Sequence, residues 1–451
     1  MPGDSSEADN GRPEAPGPTA DRRSPPVSRL RPLWLALGLY LALTVVYFAS
    51  ASPERIWHHT PYNHFAHQAR SWLDGRLELG YPPPLYAQGN DFARFEGRWY
   101  VVFPSFPAVL LLPAVALAER VEQVRDGQVF LWLAGAGPAF FFLALERLRE
   151  LGRSAHGERT HLALAALLGL GTVYWFCAEQ GTVWFAAHVV GVALAALYLR
   201  WSLGGAHPLL AGLALGLGYW TRASLLFAAP LFVIEAAVAA SRRGTPRQSL
   251  LDFLRRLLLF ALPIGALLTL SLWHNHARFH DPFEVGYRYL TVAWQARIER
   301  WGLFSYHYLA RNLGVLLTSL PFRNQGAGAP LQISIHGLAL WVTTPVYLLL
   351  LWPRKKGATW WALAATALCV GLPSLLYQNT GQVQFGYRFS NDYAVFLLAM
   401  LAVSRPRFGL FFWGLGLWGV AINAFGALTF DRARAARFYA EDRSHAVYQP
   451  D

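Results

Sequence analysis

The sequence predicts an all-α membrane protein, a polytopic bundle of about eleven transmembrane helices. Three observations predict this fold class. Hydrophobic residues make up 54% of the 451 residues and charged residues only 15%, whereas a soluble domain carries about 25% charged residues. The apolar residues occur in runs of about 18 to 22, which is the length of a membrane span. The basic residues lie in short loops between these runs, where they set membrane orientation.

The same composition excludes a soluble enzyme, a coiled coil and a disordered regulator. The net charge of +12 does not indicate nucleic-acid binding, because the arginines fit the positive-inside pattern of a membrane protein. Cys177 and Cys369 both lie in apolar runs. We expect them to be small buried hydrophobic residues and not a disulfide or metal framework.

The chain begins with residues 1–30, which are rich in Pro, Gly, Ser and charge and are predicted to form a disordered cytosolic tail. The first span follows at 33–51. Arg22, Arg23, Arg29 and Arg31 favour a retained span with a cytosolic N-terminus. We expect a transmembrane domain over 31–430 and a C-terminal tail over 431–451.

The apolar run 101–118 is expected not to cross the membrane. If all the basic loops are cytosolic, the number of spans between Ala51 and Glu146 must be odd, and two candidate runs lie there. Pro104, Pro107 and Pro113 make this run the poorer helix. We therefore predict a re-entrant segment inside a large first outer loop, residues 52–127.

Ten further spans are predicted along the rest of the chain. The stretch 208–240 is too long for one span and is divided at a bend, Tyr219–Arg222, which by the count of spans faces outward. A second outer loop covers 274–334. The predicted spans lie at 128–145, 161–178, 184–200, 208–221, 223–240, 251–273, 335–352, 357–377, 388–404 and 407–427.

Polar residues concentrated on the outer face suggest chemistry there. A membrane enzyme on that face has no ATP, so it needs an activated donor from the lipid phase, such as a polyprenyl-phosphate sugar. Transfer from it requires a base for the acceptor hydroxyl and a cation for the departing phosphate. Asp91 is the candidate base, and Arg222, Arg288 and Arg388 are candidate phosphate ligands.

Each of these residues also has a purely structural interpretation. Asp91 lies in Gln-Gly-Asn-Asp, a sequence typical of a turn. Arg222 can extend along the apolar surface to reach the interface. Asp392 follows four residues after Arg388, so the two can simply form an ion pair.

Histidines are grouped in both predicted outer loops, so a site for a divalent metal ion is one possible interpretation. Imidazole suits several divalent ions, but histidine is also common at membrane interfaces, and the spacings match no known zinc signature. We therefore assign no metal ligand from the sequence. The grouped histidines are His58, His59, His64, His67, His274, His276 and His280.

Several motifs give the chain a resemblance to a known superfamily. They are Tyr62-Asn-His-Phe followed by Asp74-Gly-Arg, Asn90-Asp-Phe-Ala-Arg-Phe-Glu-Gly-Arg-Trp-Tyr-Val-Val-Phe-Pro, Gly212 to Arg222, Pro282-Phe-Glu-Val-Gly-Tyr287 and Gly386-Tyr-Arg-Phe. Together they spread over most of residues 33–427. In order and sidedness the chain resembles the GT-C polytopic glycosyltransferases, in particular bacterial protein O-mannosyltransferases and aminoarabinose transferases.

The resemblance implies a large first outer loop of interfacial helices with an acidic residue that activates the acceptor. It implies sugar transfer from a polyprenyl phosphate to a lipid, polysaccharide or protein in the bacterial inner membrane. Where relatives commonly carry an acidic pair, this chain has Asn63-His64. The base is then Asp91 or His64, with Asn63 as a substrate ligand, or the protein is a non-catalytic envelope scaffold. A transporter or flippase of lipid-linked sugars is a further alternative.

Overall fold

The computed structural model describes residues 27–87, 91–242, 244–292, 294–323, 331–405 and 407–440. Within these ranges the regular structure is almost entirely helical, and one antiparallel hairpin pairs Phe92–Phe95 (β1) with Arg98–Val101 (β2). The predicted all-α fold class is therefore confirmed. Most of the predicted disordered tail lies outside the described residues, as do residues 441–451, while residues 27–30 already belong to the first helix.

Most of the predicted apolar runs correspond to described helices, and the structure adds short helices in the polar segments between them. The described helices are α1 (Val27–Ser50), α2 (Pro53–Trp57), α3 (His64–Leu73), α4 (Phe106–Ala116), α5 (Asp126–Ala134), α6 (Ala136–Glu150), α7 (Glu158–Leu170), α8 (Tyr174–Ala178), α9 (Val183–Ser202), α10 (Pro208–Tyr219), α11 (Ala229–Ala240), α12 (Pro246–Phe279), α13 (Gln295–Trp301), α14 (Leu309–Thr318), α15 (Leu340–Thr343), α16 (Ala358–Leu376), α17 (Asn391–Ser404) and α18 (Leu410–Thr429).

Seven helical segments of the described chain are long and apolar enough to cross a membrane. Those nearest the two ends of the described chain are less than half buried, which leaves apolar surface for lipid, whereas Val183–Gly205 is 78% buried at the centre. The chain is thus a polytopic helical bundle with α9 in its core. The seven segments are Leu30–Ser50, Asp126–Glu150, Val183–Gly205, Ala223–Ala240, Pro246–Phe279, Ala358–Leu376 and Leu410–Thr429.

Contacts between helix ends define one end of the bundle, which we call the basic end. Arg31 at the start of α1 pairs with Glu158 at the start of α7, at 2.9 Å. Glu235 near the end of α11 pairs with Arg153 and accepts a hydrogen bond from Thr359 at the start of α16, at 3.1 Å. These contacts join loops that the sequence predicts to lie on the same side of the membrane.

The opposite end, which carries the β-hairpin, is called the hairpin end. Arg432, just after α18, donates to the Ser50 carbonyl at the end of α1, at 2.8 Å, and to Glu179, at 3.0 Å. The Phe106 amide, beside the hairpin, donates to the Trp220 carbonyl after α10, at 2.8 Å. The described chain therefore starts at the basic end and finishes at the hairpin end, which requires an odd number of crossings. Seven described segments are long and apolar enough to cross, and the total of about eleven spans stays a prediction.

The segment predicted as the first outer loop folds at the hairpin end. Its helix α4 has 11 residues, a length of about 16 Å, which is too short for a hydrocarbon core of about 30 Å. The helix packs against α3, and Ala108, Leu111 and Val115 are fully buried. Helix length alone does not decide whether this run crosses, because α10, a predicted span, has only 12 residues. That the run 101–118 does not cross stays a prediction.

Several predicted spans differ from the structure in their course. The run 161–178 is divided between α7, which ends at Leu170, and the short α8. The run 335–352 is not one helix: α15 ends at Thr343, and Pro345–Leu351 forms a 3₁₀ turn. Thr344 has a non-helical backbone, with φ −141° and ψ 67°, because the following proline disfavours helical backbone at that position. Helix α12 continues through Phe279, six residues into the predicted second loop, and its 34 residues extend for about 51 Å.

Candidate functional site

A cavity of about 390 Å³ lies at the hairpin end and brings together three of the predicted residues, Asp91, Arg222 and Arg388. They come from three distant parts of the chain: the turn before β1, the bend after α10 and the turn before α17. The volume is typical of a small-molecule site. The lining is mostly aromatic and apolar, and it includes Phe103, Trp184, Trp220, Tyr287, Phe304, Tyr377 and Phe389.

Asp91 is held in a turn immediately before β1. Its φ of 65° lies in the left-handed region, which Asp tolerates better than most residues. The Trp184 side chain hydrogen-bonds to the carboxylate, while Oδ2 is buried without a partner among the described residues. Burial raises the pKa of Asp91 to about 7, although the positive charge of Arg388 opposes this shift. A buried carboxylate that ionises near neutral pH is suited to act as a base.

Arg388 is a buried cation without a counter-ion in the described residues. Its side chain lies over the rings of Phe185 and Phe389, 5.1 and 5.6 Å from their centroids, and Nη1 donates to the Val383 carbonyl at 3.2 Å. Nε has no partner there, and the residue is 6% exposed. A buried guanidinium of this kind calls for an anion, and its planar fork fits phosphate oxygens.

Arg222, by contrast, already has a carboxylate partner. Nε and Nη2 donate to Asp392 at 3.0 and 2.8 Å, and Ser224 and His188 complete the shell of that carboxylate at 2.6 and 3.2 Å. The suggested pairing of Asp392 with Arg388 is therefore wrong. The ion pair fixes the bend after α10 against the start of α17 and neutralises the charge of Arg222.

Sequence reasoning missed a further arginine in the cavity wall, Arg278. It lies in the last turn of α12, is 6% exposed and donates to the Val101 carbonyl and to Asn275 Oδ1, both at 2.8 Å. These bonds tie the end of β2 to α12. No described carboxylate pairs with Arg278, so it adds a second uncompensated charge to the wall. The charged pattern His-Asn-His-Ala-Arg at the end of an apolar run was the available signal.

The other predicted site residues do not line this cavity. His64 is fully buried at the start of α3, stacked 4.4 Å from the Phe92 ring, and burial lowers its pKa to about 3. Asn63 is buried at the N-cap of the same helix. Arg288 is exposed in the turn Tyr287–Tyr289. Only Asp91 of the two candidate bases therefore faces the cavity.

Metal donors are not grouped within the described residues. No set of three or more His, Cys, Asp or Glu side chains there is placed to hold one ion. The histidines of the two predicted outer loops have separate environments: His67 Nδ1 lies 2.7 Å from the Tyr81 hydroxyl, and His274 packs against Trp72 and Trp220. We assign no metal ligand.

Comparisons with known proteins are sparse. No protein-family model matches the chain, and no curated protein matches it. Among solved structures, the oligosaccharyltransferase of Archaeoglobus fulgidus in its apo form is similar, with 14% sequence identity and a TM-score of 0.41. The match covers 92% of this chain and 57% of the archaeal chain, so this chain spans little more than half of that protein's length. A similarity at this level carries no inference about activity.

Proposed function

We propose that the chain is a GT-C type membrane glycosyltransferase that transfers a sugar from a polyprenyl-phosphate donor to an acceptor hydroxyl. The observation that carries the proposal is the meeting of Asp91 and Arg388 in one cavity with aromatic walls. One is a buried carboxylate with an unpartnered oxygen, the other a buried cation without a counter-ion in the described chain. Together they supply the two groups that the reaction needs.

The reaction follows from the chemistry of these two side chains. The acceptor oxygen forms a bond to the anomeric carbon while the bond from that carbon to the phosphate oxygen breaks. The electron pair leaves with the polyprenyl phosphate, and Arg388 stabilises the added negative charge. Asp91 accepts the hydroxyl proton, for which a pKa of about 7 is well matched at neutral pH. The paired Arg222 and Asp392 position the cavity wall.

The hairpin end is proposed to face the outside of a bacterial inner membrane. The argument is the distribution of basic loops, which cluster at the basic end and are expected to be cytosolic. The N-terminus is then cytosolic, and the cavity opens to the external face, where a lipid, polysaccharide or protein acceptor is available. The loops in question carry Arg147, Arg149, Arg153, Arg159, Arg242, Arg247, Arg354, Lys355, Lys356, Arg405 and Arg407.

Sugar transfer in membranes that contain Asp91→Asn tests this proposal. Asn keeps the size of the side chain but cannot accept the proton, so transfer should fall by about 10²–10⁴. The matched control is Asp74→Asn in the same loop, because Asp74 pairs with Arg76 at 2.9 Å and lies outside the cavity wall. Control activity should be unchanged.

Two results would contradict the proposal. Full activity in Asp91→Asn would exclude this carboxylate as the base. Movement of intact donor across the membrane without release of polyprenyl phosphate would replace transfer by transport, the alternative that the sequence also allows.

A further inference from the structure

We propose that the transferred sugar is an uncharged, hydroxyl-bearing sugar and not an amino sugar whose nitrogen is protonated. This inference rests on the proposed function and concerns the same cavity. Its basis is the charge carried by the cavity wall and the number of carboxylates left to pair with an ammonium group.

The described wall of the cavity is positively charged. Its charged residues are three arginines and two aspartates, a net charge of +1 when both aspartates are ionised: Arg222, Arg278, Arg388, Asp91 and Asp392. The donor phosphate brings one negative charge, which Arg388 is placed to receive. Arg278 then remains without a carboxylate partner and repels any further cation in the cavity.

Neither aspartate is available to an ammonium group. Asp392 already accepts from Arg222, Ser224 and His188, at distances of 2.6 to 3.2 Å, so its oxygens are fully used. Asp91 must remain free to accept the proton of the acceptor hydroxyl. An ammonium paired with it would lower its basicity and occupy the position of the acceptor hydroxyl. A buried ammonium without a partner is costly.

Neutral amide side chains in the cavity wall provide hydrogen-bond acceptors for the hydroxyl groups of a sugar. Gln378, Asn379 and Gln382 line the cavity, and Gln378 is 3% exposed with its Oε1 buried and unpartnered among the described residues. An amide oxygen accepts a hydrogen bond from a sugar hydroxyl without any charge to balance. Aromatic walls, including Trp184 and Tyr377, offer flat faces for the sugar ring.

Matched polyprenyl-phosphate donors test the inference. Mannose, glucose and arabinose donors are each compared with a counterpart in which one hydroxyl is replaced by an amine. At pH 7 we expect kcat/KM for the best hydroxyl donor to exceed that of its amine by about 10²-fold. The ratio should narrow toward about pH 9, since amines of this kind lose their proton near about pH 8. Because Asp91 is the base for both donors, its own titration cancels in the ratio of their kcat/KM values.

Asn379→Asp supplies the missing carboxylate without changing the shape of the wall. Asn379 Oδ1 accepts from the amides of Gly381 and Gln382 at 2.8 and 3.1 Å, and an Asp oxygen can accept both bonds. The preference for hydroxyl donors should shrink about tenfold in this variant.

Transfer from an amine donor as efficient as from its hydroxyl partner overturns the inference and leaves the proposed function in place. A preference that is the same at pH 7, at pH 9 and in Asn379→Asp also overturns it, because the cause is then steric. Transfer from no donor at all contradicts the proposed function, and this inference with it.

Discussion

If the proposed transfer occurs, the charge of Arg388 should set the pH at which transfer becomes active. Asp91 has a pKa of about 7, and Arg388 is the strongest influence that lowers it. Arg388→Met keeps a long apolar side chain but removes the charge. Loss of one opposite charge in a buried site raises the pKa of a carboxylate by about 1–3 units. The acidic limb of activity should therefore move from about pH 7 to about pH 8 or above.

At pH 7, a shift of about one unit lowers the ionised fraction of Asp91 from about one half to about one tenth. That is a fivefold loss before any loss of phosphate binding. The assay is the pH profile of kcat/KM for sugar transfer, from about pH 5.5 to about pH 9.5. Arg388→Lys is the control, since it retains the charge and should keep its acidic limb near pH 7. An unchanged midpoint in Arg388→Met would refute the coupling between the two side chains.

Three further predictions concern stability and topology. Burial raises the pKa of Asp91 from 3.8 to about 7, so ionised Asp91 lowers the free energy of unfolding increasingly as pH rises between these values. Asp91→Asn should therefore have a melting temperature no lower than that of the wild type at pH 8. A much lower melting temperature would show that the carboxylate has a structural role. Arg222→Met leaves the buried carboxylate of Asp392 without its cation and should lower the free energy of unfolding by about 3–5 kcal/mol. Replacing the exposed Arg288 by Met should lower it by less than about 0.5 kcal/mol. Equal losses in the two variants would contradict the ion-pair assignment. Cysteines at 97 and 123 should be labelled from the same side, and labelling from opposite sides would show that 101–118 crosses.

The helical architecture could be predicted from the sequence because membrane burial acts on long, continuous apolar segments. Span length and basic loops alone located both ends of α9 and α18 to within about three residues. The predicted end of α12 was wrong because this helix continues beyond its apolar part, through His274 to Phe279. Hydropathy reports the transition to water and not the end of the helix.

Part of the site was also accessible from the sequence. Asp91 and Arg388 were identifiable because the count of spans put both on one side of the membrane, and the structure brings them to one cavity. The pairing of Arg222 with Asp392 was not, because the two residues are 170 positions apart and local spacing favoured Arg388. His64 was a candidate by its position in the motif, but its fully buried ring faces Phe92.

A structure of the Asp91→Asn protein with an intact polyprenyl-phosphate sugar would test the central claim most directly. The variant should bind the donor and not turn it over. We predict that the phosphate oxygens accept hydrogen bonds from the Arg388 guanidinium and that the anomeric carbon faces residue 91. A donor whose phosphate lies away from Arg388, or whose sugar ring lies outside this cavity, would contradict the account.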